Sequence, residues 1–295
     1  MADFDPSQNR YDEINDACWA EGKPVPYFAL AKTLALCEEN SGRLLKTEFL
    51  ANFLLSVEKL SPDDLLPCVH LSLNLLAAAY EGVELGIGDH ILMKAIAQST
   101  GRSVNEIKKD MVKSGDLGSV AENSKGKQKM LGMTKPLEVG KVYSKLQQIA
   151  AISGGGNQQK KIDLIKSCLV HCKGPEARFL IRSCTGKLRV GMSESTVLAA
   201  IAWAFQRKEN GKFNKEKASE AEQAVKTAFC ELPNFDILLK TLQEHGTTDL
   251  DQHISLHPGV PLKPMLAHPT KDMSEIFKRF GDGCKFAAEY KVINF

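Results

Sequence analysis

The sequence has no long apolar run, little net charge and no leader-like start. Its 295 residues contain no stretch of about 18 apolar residues, so no membrane-spanning helix is expected. The formal net charge of +2 excludes bulk basic character, and any nucleic-acid binding must therefore come from local patches. The first residues, MADFDPSQNR, are polar and acidic, unlike a secretory signal peptide.

Aromatic residues and strand-like alternation are also scarce. Aromatic residues make up 7% of the chain, and apolar residues recur at helical spacing up to about residue 250. This pattern predicts a mostly α fold. The composition then changes, and the prolines at 258, 261 and 264 are typical of an interdomain linker. We predict a helical domain over residues 1–255 and the beginning of a second domain at residue 256.

Cysteine pairs at the spacing of a zinc site are lacking. Of the eight cysteines, Cys168 and Cys172 share a helical stretch with His171, but no second ligand pair accompanies them. No metal site is therefore predicted. The cysteines are expected to be reduced and mostly buried thiols of an intracellular protein.

The most informative stretch reads RSCTGKLRVGMSESTVLAAIA. Two glycines, Gly186 and Gly191, bracket Lys187 and Arg189, and Ser193 is a suitable N-cap for an apolar-striped helix. Glycines let a backbone approach a ligand closely, and helix N-terminal amides beside two cations suit a phosphate. The pattern predicts a phosphate-binding turn. The alternative is an ordinary capped helix after a basic turn.

A related stretch occurs about one hundred residues earlier. LGIG at 85–88 resembles LRVG at 188–191, and residues 91–97 resemble residues 196–202. The repetition indicates a domain of two related halves that presents two loop-to-helix elements to one long ligand. Chance similarity between two glycine turns is the alternative.

A further glycine-rich break begins at Lys113 and contains Gly115 and Gly118. The segment after it, residues 123–135, carries four lysines and is predicted to be an exposed loop that contacts a nucleic-acid backbone. A solvated loop without a ligand is the alternative, because charge runs are commonly solvent-exposed surface.

The C-terminal part contains PGVPLKPMLAHPT, a short predicted helix over residues 275–280, and FAAEYK. These motifs resemble the eukaryotic ATP-dependent DNA ligases, in particular the DNA ligase I type. Further motifs resemble the DNA-binding domain of that family: DACW at 16–19, KSGDLGSVAEN at 113–123, KKID at 160–163 and GKLRVG at 186–191. The resemblance covers residues 11–291.

The resemblance implies a multi-helix DNA-binding domain followed, over residues 256–291, by the truncated start of an α/β nucleotidyltransferase domain. In the family a lysine attacks the α-phosphate of ATP with the help of Mg²⁺, and AMP then activates the 5′-phosphate of a nick. Lys291 corresponds to that lysine and Glu289 to the residue that recognises adenine. The implied partner is nicked duplex DNA, bound through its backbone and minor groove, and the implied location is the nucleus. The implied DNA-contacting residues are Lys113, Gly115, Gly118, Gly186, Lys187, Arg189, Gly191 and Ser193.

After Lys291 the sequence departs from the family, whose motif continues with Tyr-Asp-Gly. Residues 292–295 read VINF and match nothing expected, and the carboxylates that would bind a metal are absent. We therefore expect these 295 residues to bind no ATP or Mg²⁺ on their own, and residues past about 258 to lack order. Sliding-clamp and nuclear-import motifs are not visible.

Two functions follow. The chain is either the DNA-binding part of a ligase that seals nicks in replication, repair and recombination, or a non-catalytic helical protein-interaction module without independent DNA binding.

Overall fold

The computed structural model describes residues 4–126, 135–152, 157–255, 258–263, 272–281 and residue 285. Over these residues the chain is α-helical, with short 3₁₀ turns and one isolated antiparallel bridge between Pro26 and Glu138. The predicted mostly α fold is confirmed. The described residues include no helix long and apolar enough to cross a membrane.

The helices fall into two successive sets of six. The first set is α1 (Tyr27–Glu39), α2 (Arg43–Leu60), α3 (Leu65–Leu73), α4 (Asp89–Thr100), α5 (Val104–Ser114) and α6 (Leu117–Gly126). The second set is α7 (Val139–Ala151), α8 (Gln158–Leu169), α9 (Glu176–Thr185), α10 (Glu194–Asn210), α11 (Lys215–Glu231) and α12 (Phe235–His245). A short α13 (Leu250–His253) follows, and α14 (Met273–Phe280) lies further along, where a short helix is predicted.

The two sets begin at the same place in the fold. Tyr27, the first residue of α1, donates its N–H to the Leu137 carbonyl at 2.8 Å. Val139, the first residue of α7, donates to the Val25 carbonyl at 2.9 Å. This reciprocal pair places the starts of α1 and α7 side by side in opposite directions, which is the arrangement that two related halves produce.

The two halves are interlocked by their helices. Helices α4 and α6 of the first half pack on α8 and α9 of the second, whereas α10 and α12 pack on α2 and α3. Helix α1 also packs on α9, and α7 on α3. Each half therefore completes the core of the other, and the predicted organisation in two related halves is confirmed for the helical domain.

The centre of the core is the pair α2 and α10. Helix α2 is buried on most of its surface, and its buried residues include polar ones such as Asn52 and Ser56. From α10 the predicted apolar stripe, including Val197, Ile201 and Phe205, is buried against it. This central packing fixes where the N-terminus of α10, and the turn before it, reach the surface.

The described cysteines are free thiols, and most of them are buried. Within the described ranges no group of three or more metal-ligating side chains is close enough together to hold an ion. Cys284 lies outside the described residues.

The helical unit extends to Lys263, and the next unit begins at Pro264. Val260 packs on the core, and the Lys263 N–H donates to the Cys230 carbonyl at 3.1 Å. The Lys263 ammonium also contacts both carboxylate oxygens of Glu194 on α10. The expectation that residues past about 258 lack order is therefore wrong for residues 259–263, because these contacts hold them against α10 and α11.

A buried carboxyl group in the second half makes stability depend on pH. Burial raises the pKa of Glu176 to about 7, although its carboxylate accepts the Lys173 N–H at 2.6 Å. Between the unfolded value and about 7 the folded state keeps a proton that the unfolded state has lost, so stability falls as pH rises through this window. Glu176→Gln cannot ionise and is expected to be about 2–3 kcal/mol more stable, relative to wild type, at pH 8 than at pH 4.

Urea unfolding of both proteins at pH 4 and at pH 8 measures this difference. Other titrating groups are shared by the two proteins and cancel in the comparison. Parallel stability profiles for wild type and Glu176→Gln would show that folding leaves the pKa of Glu176 unchanged.

Candidate nucleic-acid interface

The predicted basic turn connects α9 to α10, and its glycines have the backbone conformation that requires them. Helix α9 ends at Gly186 with φ +79°, and Gly191 has φ +63°. Arg189 also has positive φ, +60°, which is uncommon for a residue with a side chain. The Ser193 hydroxyl caps α10 by accepting the Thr196 N–H at 3.3 Å. We name residues 186–193 the second turn.

The second turn alternates between buried anchors and exposed groups. Leu188 and Val190 are buried in the core, which fixes the backbone. The predicted residues Gly186, Lys187, Arg189, Gly191 and Ser193 are all exposed. The sequence-predicted contact residues of this turn therefore lie on one surface at the N-terminus of α10.

Arg189 brings the break between α5 and α6 to the same surface. Its Nη2 donates to the Gly115 carbonyl at 2.9 Å, although the two residues are 74 positions apart. Gly115 closes α5 with φ +68°, and Lys113 in the last turn of that helix is exposed. Lys113, Gly115 and the second turn thus form a continuous patch, which we call the basic patch.

Gly118 does not belong to the exposed part of that patch, because the structure buries it where α6 packs on α9. A Cβ at Gly118 would lie 2.7 Å from the Arg178 carbonyl oxygen and 2.7 Å from Arg182 Cγ. Its prediction as a DNA-contacting residue is corrected on this ground. The glycine allows two helix backbones to approach closely.

Arg182 lies beneath the basic patch and contacts three of the elements around it. The sequence analysis did not single out this residue. Its guanidinium is buried and uses all five N–H donors. Two bonds of 2.8 Å reach the Glu38 carboxylate on α1, two of 3.0 and 2.7 Å reach Asp116, and one of 3.1 Å reaches the Leu188 carbonyl. Helix α1, the α5–α6 break and the second turn are therefore joined at one side chain.

The same contacts neutralise the carboxylates beneath the patch. Burial by itself would raise the pKa of Asp116, but hydrogen bonds from Arg182 and Ser119 outweigh it and lower the pKa to about 2. Glu194, in the first turn of α10, is paired with Lys263. The basic patch therefore keeps a positive exposed charge, which comes from Lys113, Lys187 and Arg189.

The first half has a corresponding turn between α3 and α4, residues 82–88, which we name the first turn. Gly86 has φ +56°, and Gly88 occupies the N-cap position of α4. Leu85 and Ile87 pack on the core while Gly86 and Gly88 are exposed. Two loop-to-helix elements are therefore present, as the internal repeat predicts.

The register of the repeat differs from the one read from the sequence. The sequence aligned LGIG with LRVG, which pairs Gly88 with Gly191. In the structure Gly86 matches Gly191, because both have positive φ and both lie three residues before the first residue of a helix, α4 or α10. The N-caps Gly88 and Ser193 then also correspond.

A lysine lies beneath each turn, Lys46 buried and Lys161 half-buried, and the sequence analysis missed both roles. Lys46 Nζ donates to the carbonyls of Val190 at 2.7 Å and Gly191 at 3.2 Å. Lys161 Nζ donates to the carbonyls of Leu85 at 2.8 Å and Gly86 at 3.4 Å. Lys161 stands in the KKID motif, but nothing in the sequence showed what its side chain contacts.

The remaining predicted residues are placed as follows. Residues 123–126 of the predicted basic loop form the end of α6, not a loop, and Lys125 Nζ donates to the Val170 carbonyl at 3.1 Å. Residues 127–134 of that loop lie outside the described residues. The predicted nucleophile Lys291 and the predicted adenine-recognising residue Glu289 also lie outside them.

Comparison with known proteins points to one family. Residues 26–202 match the family model described as DNA ligase N terminus. DNA ligase 1 of Drosophila melanogaster is 42% identical over 99% of the chain, and DNA ligase 1 of Saccharomyces cerevisiae is 38% identical over 97% of it. DNA ligase 1 of Arabidopsis thaliana is 39% identical over 96% of the chain. The chain spans 36–40% of the length of these relatives.

Proposed function

The chain belongs to the DNA ligases of the DNA ligase 1 type, and we propose that its helical domain binds duplex DNA through the sugar-phosphate backbone. The observation that carries the proposal is the basic patch. It presents Lys113, Lys187 and Arg189 around exposed glycine backbone, while the carboxylates next to it are paired with Arg182 or Lys263.

The chemistry of this surface suits phosphate better than bases. Cations and helix N-terminal amides attract phosphate oxygens whatever the sequence of the DNA. An enzyme that acts on any nick needs such sequence-independent contacts, and the minor groove, whose hydrogen-bonding pattern is degenerate, suits them. The two turns, one from each half, would contact a single elongated ligand. Binding of this kind weakens steeply with salt, because counterions are released from the DNA.

For the whole protein we propose ATP-dependent sealing of nicks in replication, repair and recombination, in the nucleus. ATP would supply the adenylyl group, with Mg²⁺ to neutralise its phosphate charge. Lys291 would be the nucleophile and Glu289 the residue that recognises adenine. A lysine–AMP adduct found by mass spectrometry in the ATP-treated full-length enzyme, and lost in Lys291→Ala, tests this assignment. An adduct on another lysine would refute it.

Binding of the chain to nicked and intact duplexes across a salt series tests the DNA-binding proposal. Lys187→Ala/Arg189→Ala is expected to weaken binding by roughly 10–100-fold and to reduce the slope of log K against log salt by about 2, since two phosphate contacts are lost. Lys212→Ala/Lys215→Ala is the matched control. It removes two exposed cations near the opposite end of α10 and is expected to bind as wild type does.

The outcomes separate the two functions that the sequence allows. Salt-sensitive binding that is lost only in the Lys187/Arg189 variant supports a DNA-binding domain. Absence of binding by the folded wild-type chain at low salt would instead favour the protein-interaction module. Equal losses in both double variants would mean that the DNA responds to overall charge and not to the basic patch.

A further inference from the structure

The two lysines beneath the turns occupy equivalent positions in the two halves. Lys46 is the fourth residue of α2, and Lys161 is the fourth residue of α8. Helix α2 packs on α10 and helix α8 packs on α4, so each lysine comes from the helix that supports the turn it contacts. In both cases one ammonium binds two consecutive carbonyl oxygens, and the second carbonyl belongs to the positive-φ glycine.

Holding those carbonyls inward determines the direction of the neighbouring amides. In a planar trans peptide the N–H points opposite to the C=O, and no cis peptide occurs here. With the carbonyls of Val190 and Gly191 facing Lys46, the N–H groups of Gly191 and Met192 therefore face away from it. In the first turn, the N–H groups of Gly86 and Ile87 face away from Lys161 in the same manner.

These four amides are available for a ligand. Among the described residues, none of the four N–H groups donates to an acceptor within the protein. Gly86 and Gly191 are exposed, so their amides lie at the surface. Two successive backbone N–H groups that point the same way form an anion-binding concavity, and the start of a helix three residues later adds its positive end.

The lysines also bring charge that the protein leaves uncompensated. Lys46 is 7% exposed, and within the described part of the chain neither ammonium forms an ion pair with a carboxylate. A buried cation bound only to carbonyls, as Lys46 is, is costly unless an anion approaches it, and the same holds to a smaller degree for the half-buried Lys161. The structure therefore has a positive charge directly behind each pair of free amides.

We propose that Gly86–Ile87 and Gly191–Met192 are two matched phosphate-binding amide pairs, and that Lys161 and Lys46 are the positioning residues that aim them. The ligand chemistry is the phosphodiester, one phosphate for each turn. The proposal rests on the DNA binding proposed above and adds which groups contact the phosphates in each half. It also accounts for one of the glycines, because a Cβ at Gly191 would lie 2.8 Å from Lys46 Nζ.

The first test replaces each lysine with methionine, which keeps an unbranched side chain, one heavy atom shorter, and removes the ammonium. Lys46→Met and Lys161→Met are each expected to weaken binding of nicked duplex roughly tenfold, the effect of losing a charge-assisted contact. Lys160→Met is the matched control. It removes one exposed charge beside Lys161 on the same helix and is expected to change affinity little.

Amide NMR spectra of the ¹⁵N-labelled chain, with and without nicked duplex, give the local readout. On addition of DNA the amide signals of Gly86, Ile87, Gly191 and Met192 are expected to shift in wild type. Lys46→Met should abolish the response of the second turn alone, and Lys161→Met that of the first turn alone. A general loss of structure would change both turns in either variant.

A second variant tests the amide pair without removing charge. Gly191→Ala adds a Cβ at positive φ against Lys46 Nζ, and it is expected to lower affinity severalfold with an unchanged salt slope. Gly211→Ala is its control: Gly211 has a similar positive φ, a Cβ there meets nothing within 4 Å, and the residue lies at the far end of α10.

One outcome is that wild type binds the duplex, both methionine variants bind it with the affinity of Lys160→Met, and no amide signals shift. That outcome would overturn the positioning role but leave the proposed DNA binding intact. No binding by wild type would overturn both. If each methionine variant lost the amide shifts of the expected turn only, the two phosphate-binding sites would be established.

Discussion

Arg182→Ala is expected to lower the free energy of unfolding by about 3–5 kcal/mol, the typical cost of breaking a buried ion pair. The guanidinium is 4% exposed and satisfies the Glu38 and Asp116 carboxylates and the Leu188 carbonyl at once. Removing it deprives Asp116 and the Leu188 carbonyl of a buried partner, whereas Glu38, which is 25% exposed, keeps its contact with Arg178. Urea unfolding followed by circular dichroism measures the loss.

The conservative replacement and a surface control make this prediction specific. Arg182→Lys keeps the charge but not the planar fork, so it is expected to recover less than half of the loss. Lys187→Ala removes an exposed cation from the same turn and should change stability by no more than about 0.5 kcal/mol. An Arg182→Ala protein with the unfolding midpoint of wild type would mean that the network contributes no stability.

Gly118→Ala is expected to destabilise the protein by about 1–3 kcal/mol, the usual cost of overpacking. Alanine is the better helix former by about 1 kcal/mol, so helix propensity alone predicts the opposite sign. Packing is expected to prevail because the added Cβ would meet the Arg178 carbonyl and Arg182 Cγ, both at 2.7 Å. The collision involves backbone, which cannot move without separating α6 from α9.

Gly126→Ala is the matched control for Gly118→Ala. Gly126 is in the same helix and a Cβ there meets nothing within 4 Å, so this replacement should be neutral or slightly stabilising. Thermal unfolding of both variants decides between packing and propensity. If Gly118→Ala were as stable as Gly126→Ala but bound nicked duplex more weakly, Gly118 would be a ligand-contacting glycine after all.

The helices and the second turn were predictable because their signals are local. Apolar residues at helical spacing, such as Val197, Ile201 and Phe205, indicate a buried helical face without reference to the rest of the chain. Gly186, Gly191 and the Ser193 N-cap indicate where that helix begins, and the structure has it begin at Glu194. The family motifs were equally local, and the comparisons bear them out.

The register of the repeat and the role of Gly118 were not predictable in this way. Two turns with two glycines each can be aligned with either glycine, and only the backbone dihedral angles show that Gly86 corresponds to Gly191. The sequence does not distinguish a glycine that permits two helices to touch from a glycine that permits a ligand to approach. Gly118 was placed with the second kind and belongs to the first.

The sequence by itself determined the helical class, the two related halves, the basic second turn and the ligase family. Each of these properties depends on residues close together in the chain or on motifs that can be compared without knowing the structure. Tertiary structure alone decided which distant groups meet: Arg189 with Gly115, Arg182 with Glu38 and Asp116, and a lysine beneath each turn. The physical reason is that these contacts arise from the interlocked packing of the two halves, and the residues that they join are up to 145 positions apart.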